Sequence, residues 1–254
     1  MVLRADRNLR GVVNSAPTAY KQREITAYLY GSFFGGLVMD FAAARRKMVA
    51  SQIRTSEVTD PIVVEAMGAV PRELFLPLAN RPFAYVDEDI ALGKGRYLME
   101  AAVLAKLLQL ADLQTTDSAL VVGAGYGYSA AVLARLVRSV TALESDAAFA
   151  DQAAKVLAEV APGQVNVVKG DLKPGWPANS PYDLILVDGA VSSLPVQYKP
   201  QLADGGRLVC IVRDGPVGRA TLVERSGDSY GSREEFDAMT PILPGFEKQP
   251  KFVF

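Results

Sequence analysis

Three glycines, Gly123, Gly125 and Gly127, stand at i, i+2 and i+4 in the run ALVVGAGYGYSAAVLA. An apolar stretch precedes them and a helix-forming stretch follows, so they read as a strand-to-helix turn. Glycine lets backbone approach a small ligand closely, and a helix start offers free N–H donors. A dinucleotide fingerprint would need i, i+2 and i+5, and position 128 is Tyr. The Gly-Lys-Ser/Thr ending of a phosphate loop is also absent. Alone, the triplet is compatible with a plain tight turn. Two acids narrow the reading. Glu144 ends the run VTALES, 144 − 125 = 19 residues past the middle glycine, and Asp171 ends VVKGDL. In an open α/β sheet both fall at the carboxyl edge, where ligands lie. A carboxylate there can accept both hydroxyls of a ribose, and one on the next strand can bond an adenine amino group. Each acid alone could be a solvated loop residue. Together, in this order, they favour a nucleoside ligand.

What is missing excludes other chemistry. The chain of 254 residues has no histidine, so Ser-His-Asp and Cys-His catalysis are out, as is histidine-ligated zinc. With Cys210 as the single cysteine, intrachain disulfides and cysteine-rich metal sites are impossible. That usage fits a reducing cytoplasm. The balance of 27 basic and 28 acidic residues implies no broad basic field for nucleic acid or membrane binding. The apolar run Ala27–Val38 is shorter than the ~20 residues of a spanning helix. Residues 1–38 are expected to be an extension outside the packed domain, with Met39 as an alternative start. A signal or transit peptide is the competing reading. Residues 39–254 form the expected domain.

Alternating elements must position the glycines and acids. DFAAARRKMVASQIR places Phe41, Ala44, Met48 and Ile53 near one helical face. Asp60 can cap a short helix starting at Pro61 and running to Met67. The segments VPRELFLP and NRPFAYVDEDIALGKG read as irregular surface, and Leu98–Leu110 as a strong helix. Strands are expected at 119–122, 139–143, 165–169, 182–187 and 206–212. Helices are expected at 128–137, 147–159 and 195–202. Near-uniform apolar strands alternating with helices mean a parallel sheet covered on both faces. The stretch ATLVERSGDSYGSREEFDAM predicts a hairpin around SGDS. The tail, with Phe246, Phe252 and Phe254, is expected to pack back over the sheet.

From about Met39 to Val212 the chain resembles protein-L-isoaspartate O-methyltransferases. The segments that carry the resemblance are MVASQIR, AMGAVPRELFLP, AYVDEDIALGKG, GAGYGYSAAVLARL, GDLKPGW and QLADGGRLV, in the family's order. The resemblance implies an α/β domain with a seven-stranded, mostly parallel sheet of the S-adenosylmethionine-dependent methyltransferase (Rossmann-like) type, under an N-terminal helical cap. It implies S-adenosyl-L-methionine as cofactor, with Gly123, Gly125 and Gly127 around it, Glu144 at its ribose, and Asp171 and Leu172 at its adenine. It also implies an enzyme that methylates damaged aspartyl carboxylates; the cytoplasm remains the compartment the cysteine usage suggests. Its partner would be a protein or peptide carrying isoaspartyl residues, with no nucleic acid and no membrane.

Three departures qualify this. The family motif Q-T-I-S-Q-P, whose serine is assigned to the active site, is replaced by RYLMEA after Gly93, Lys94 and Gly95. The serine position falls on Met99 and the proline position on Ala101. No Ser or Thr occurs from Asp60 to Gln114, and Tyr97 is the only hydroxyl in the loop. Val121 stands where the family carries an acid near the cofactor's methionine portion. Asp188, in VDGA, replaces an uncharged residue and is either a relocated site carboxylate or a simple loop acid. Methylating a carboxylate needs no general base, because aspartate ionises at about 3.9. What it needs is positioning. Arg96 is either a solvated loop charge or a substitute contact for the acceptor. These departures predict weak isoaspartyl repair. The alternatives are a non-catalytic cofactor-binding or interaction protein on the same fold, and a methyltransferase for another acceptor using Tyr97 or Asp188.

Overall fold

The computed structural model of the chain describes residues 39–248. The expectations for residues 1–38, and for Phe252 and Phe254, lie outside the described residues. One unit begins at Phe41. Its helical cap starts with α1 (Phe41–Met48), which passes through a π-helical turn, Val49–Ile53, into a short 3₁₀ turn. Met48 and Ile53 are buried, as the helical spacing predicts. The next helix, α2 (Pro61–Ala69), starts as expected: the Asp60 carboxylate accepts from Ile62 N at 3.0 Å, with Pro61 at the first position. It runs two residues past the expected end.

The stretch expected to be irregular surface is more ordered. Arg72–Phe75 and Leu78–Phe83 are 3₁₀ turns, and Arg72, Phe75, Leu76 and Ala84 are buried. A hairpin then forms from β1 (Ile90–Gly93) and β2 (Arg96–Leu98). Lys94 and Gly95 both take positive φ, +52° and +72°, the geometry of a two-residue primed turn. This pairing pulls Leu98 out of the expected helix, so α3 is Ala101–Leu110.

The main sheet follows the expected alternation: β3 (Ser118–Val122), α4 (Tyr128–Leu133), β4 (Ser139–Glu144), α5 (Ala147–Val160), β5 (Val165–Lys169), β6 (Tyr182–Val191) and β7 (Leu202–Val212). The predicted hairpin is β8 (Gly218–Ser226) with β9 (Ser229–Ala238). Strand order is β5-β4-β3-β6-β7-β8-β9, parallel from β5 to β7 and antiparallel from β7 onward. Helix α4 is shorter than expected, because Arg135 N and Leu136 N bond i−3 carbonyls and tighten the chain after Leu133. The expected helix near 195–202 is a 3₁₀ turn, Val196–Gln201.

Both sheet faces are covered. Along β3, Ala119 and Val121 pack into one apolar core, Leu120 and Val122 into the other. That alternation explains why the strand is apolar at every position. Arg207 on β7 ties the sheet to the end of α3. Its guanidinium donates to Ala111 O (2.7 Å), Asp112 O (2.9 Å) and the Asp117 carboxylate (2.7 Å), joining the end of α3 to the start of β3. The Arg207–Asp117 pair is largely buried. Arg207→Ala is expected to cost about 3–5 kcal/mol, because it leaves a buried carboxylate without its partner. Urea denaturation checks this; a loss under ~1 kcal/mol would mean the pair is merely a surface contact.

Candidate active site

Strand β3 is the switch point of the sheet, with β4 on one side and β6 on the other, so the crevice at its carboxyl end is where a ligand belongs. The glycine turn sits there. Gly123, Gly125 and Gly127 all take positive φ, +84°, +57° and +93°. The turn is stitched to β4, with Gly123 N and Ala124 N donating to Leu143 O at 2.9 and 3.0 Å. A Cβ on Gly127 would lie 2.7 Å from Leu157 Cδ1, so a side chain there would have to displace Leu157 of α5 as well as adopt φ +93°.

Glu144 is fully buried at the end of β4 and is the hub of the site. Its Oε2 accepts from Gly125 N at 2.7 Å, so the acid and the middle glycine are physically joined. Its Oε1 accepts from Ser145 N (2.8 Å) and Asp146 N (2.9 Å). The remaining positions are taken by Arg96, whose Nη1 and Nη2 donate to Oε1 and Oε2 at 3.0 and 2.8 Å. Arg96 is 4% exposed, so the reading of a solvated loop charge is corrected. The primed turn before it aims β2, and Arg96 with it, at the glycine loop. Lys94, at the hairpin tip, ion-pairs Asp146, the N-cap of α5.

Asp171 lies just beyond β5, exposed, with one oxygen accepting from Lys173 N at 3.1 Å. Gly170 N donates to Glu144 O at 3.1 Å, which ties this turn to the hub. Leu172 is buried, and its carbonyl accepts from the Tyr198 hydroxyl at 2.7 Å. The structure therefore brings Gly125 and Glu144 into direct contact, with Gly123 and Gly127 in the same turn, and sets Asp171–Leu172 at the next strand end.

Asp188 is not a loop acid. It lies near the end of β6, partly buried, and accepts a hydrogen bond from Ser129 on the first turn of α4. Burial pushes its carboxyl up to about 6; Ser129, Arg96 and Arg72 oppose the rise, and Glu144 adds to it. A carboxyl that ionises less readily in the folded chain costs stability once pH passes its ordinary value near 3.8. The cost is complete above about 6. The stability lost through this group as pH rises across that window should vanish in Asp188→Asn. Thermal unfolding of both proteins from about pH 4 to pH 7 measures it, and parallel curves would contradict the assignment.

Beneath the crevice, Arg72 is fully buried. It donates to Ala84 O (2.8 Å) and Met99 O (2.6 Å), with its guanidinium 4.9 Å above the Tyr128 ring. Met99 is thus held by its backbone while its side chain joins the core. Val121 is equally enclosed, and Tyr97 is exposed. Sequence reasoning did not single out Leu92, Ser129, Arg72 or Leu243 for the site. Leu92 Cδ1 lies 3.0 Å from where a Cβ on Gly125 would stand, and Leu243 reaches Gly123.

A parallel sheet ending in an antiparallel hairpin, with a glycine turn after the switch-point strand and an acid ending its neighbour, defines an S-adenosyl-L-methionine-dependent methyltransferase of the α/β type. The family model for protein-L-isoaspartate(D-aspartate) O-methyltransferase matches residues 43–240, and the chain belongs to that family. It is similar to protein-L-isoaspartate O-methyltransferase 1 of Rhodopseudomonas palustris (strain HaA2), with 43% identity across 73% of this chain and 74% of the relative. It is also similar to the protein-L-isoaspartate O-methyltransferase of Methylorubrum extorquens (strain PA1), with 40% identity across 82% and 92%. Among solved structures, a Plasmodium falciparum beta-aspartate methyltransferase (PCMT) in complex with S-adenosyl-L-homocysteine aligns with TM-score 0.69 and 17% identity, covering 78% of this chain and 97% of that one. At that identity the likeness speaks to the fold. No helix among the described residues is long and apolar enough to cross a membrane.

Proposed function

We propose that the chain binds S-adenosyl-L-methionine in the crevice at the end of β3 and methylates the free carboxylate of isoaspartyl residues in proteins. The carrying observation is the contact between Gly125 N and the Glu144 carboxylate, which makes the glycine turn and the strand-end acid one unit. The donor set suits the cofactor. Backbone at positive φ allows close approach. Glu144 is a buried carboxylate suited to a ribose diol where Arg96 gives up its two positions, and Asp171 with the backbone at Leu172 is an acceptor and donor set for an adenine edge.

S-adenosyl-L-methionine supplies a methyl group already activated by its sulfonium. The chain has to hold an ionised carboxylate in line and keep water out. Met99 cannot donate to that carboxylate. The guanidinium of Arg96 and the Tyr97 hydroxyl are the nearby candidates. Arg96 would do so as a charge-assisted, bidentate donor. A second reading rests on Asp188. A carboxyl near 6 beside the crevice would repel an acceptor carboxylate when ionised and could take a proton from a neutral nucleophile. That favours an alcohol or amine acceptor. Calorimetry with the cofactor, then transfer assays with isoaspartyl, aspartyl and neutral acceptors, separates these readings.

The proposed domain is residues 39–254, with residues 1–38 as an extension and the cytoplasm as the compartment, in keeping with the single buried thiol. A chain beginning at Met39 should melt within a few degrees of the full chain. A larger drop would show that the extension packs on the domain.

A further inference from the structure

Two side chains of the chain itself stand against the glycines of the proposed cofactor crevice. A Cβ on Gly123 would lie 3.0 Å from Arg96 Nη2 and 3.1 and 3.2 Å from the two methyls of Leu243. On the other bank, a Cβ on Gly189 would lie 2.6 Å from Leu243 Cγ. Leu243 therefore sits between the turn after β3 and the end of β6, the two strand ends that bound the crevice. Arg96 lies over the same glycine and saturates Glu144. That carboxylate accepts from three backbone amides and both guanidinium nitrogens, about all the lone-pair directions it has. The amides are fixed by the backbone, and the Ser145 hydroxyl adds a longer bond to Oε1 at 3.3 Å. Arg96 is the charged partner that can withdraw.

Leu243 is carried by the segment Pro241–Phe246, which runs beside the end of β6. Three backbone bonds hold it there: Ala190 N to Pro241 O (3.0 Å), Leu243 N to Ala190 O (2.8 Å) and Ser192 N to Phe246 O (3.1 Å). Leu243 and Phe246 are buried, at 3% and 8% exposure. Pro241 and Pro244 lack an N–H, so the pairing cannot lengthen into a strand. Three backbone bonds over six residues are fewer than a strand of the sheet makes, so the cost of opening the segment is mainly that of re-exposing Leu243 and Phe246. Arg96 also has a second anion within electrostatic reach, Asp188, once it leaves Glu144.

We infer that Arg96 and the strap carrying Leu243 form a latch that the chain closes on its own cofactor crevice, so that S-adenosyl-L-methionine binds only when both withdraw. The inference rests on the cofactor reading above. The latch lowers the apparent affinity by the fraction of molecules that are open. The ligand must therefore loosen the strap while it tightens the glycine turn.

The test uses the full chain and S-adenosyl-L-homocysteine as the probe, with calorimetry and amide hydrogen exchange. Leu243→Ala keeps the strap backbone and removes the plug; it should bind at least tenfold tighter than the unmodified chain. Arg96→Lys, which keeps the charge but loses the bidentate grip, should also tighten binding. In the unmodified chain the probe should speed exchange at the Leu243 and Ala190 amides, the reverse of ordinary ligand protection. Circular dichroism melts confirm that both variants are folded. Unchanged or weaker binding by both variants, with strap amides protected by the probe, overturns the latch and leaves the cofactor reading standing. No binding by any of the three proteins at millimolar probe removes the cofactor reading itself, and the latch with it.

Discussion

Replacing Gly125 by valine should abolish cofactor binding, a loss of at least about 100-fold, or roughly 2.8 kcal/mol at 1.4 kcal/mol per decade. Two effects combine. The backbone at Gly125 takes φ +57°, which costs an L-residue ~1–2 kcal/mol and a β-branched one more. The added Cβ would also stand 3.0 Å from Leu92 Cδ1, wedging the β1–β2 hairpin off the turn. Any shift of the turn also breaks the bond from Gly125 N to Glu144, so the acid loses its register with the loop. Calorimetry on a variant shown to be folded by its melting curve is the check. Normal binding would mean that the ligand does not lie against this turn.

Turnover on isoaspartyl peptides should fall about 100-fold below relatives that keep the family serine, the cost of a misplaced acceptor. Met99 is buried in the core and offers the crevice no hydroxyl; its carbonyl is already committed to Arg72. Val121 is enclosed too and gives the cofactor's amino-acid end no polar contact. Arg96, the strongest remaining donor, is spent on Glu144 in the closed crevice. Side-by-side rates with an isoaspartyl peptide and labelled cofactor measure the deficit. Rates equal to those of the serine-bearing relatives would show that another contact replaces the serine fully. A collapse of such rates in Arg96→Ala would identify that contact.

The parallel sheet, the capped helix at Asp60 and the β8–β9 hairpin were legible because each rests on local signals: apolar runs, a cap with proline behind it, and turn residues between short strands. Glu144 was legible from its distance to Gly125 and its place at a strand end. The hairpin Ile90–Leu98 was missed because its turn places a lysine at positive φ, which turn residues alone do not announce. Neither sequence reading of Arg96, solvated charge or acceptor contact, gives its actual partner, Glu144. That partner lies 48 residues away. Leu243 carries no local signal at all. Its role comes from two prolines that keep the strap short and from a strand end that it reaches only in the folded chain.

A crevice formed by Gly123–Gly127 and Glu144 that holds the methyl donor should take up label from it. Ultraviolet photolabelling of the full chain with methyl-labelled S-adenosyl-L-methionine, followed by tryptic peptide mapping, tests it most directly. Label is predicted on the peptides spanning Leu107–Arg135 and Ser139–Lys155, which contain the glycines and Glu144, and excess unlabelled S-adenosyl-L-homocysteine should suppress it. Label confined to other peptides, or none that the homocysteine product suppresses, would contradict the account.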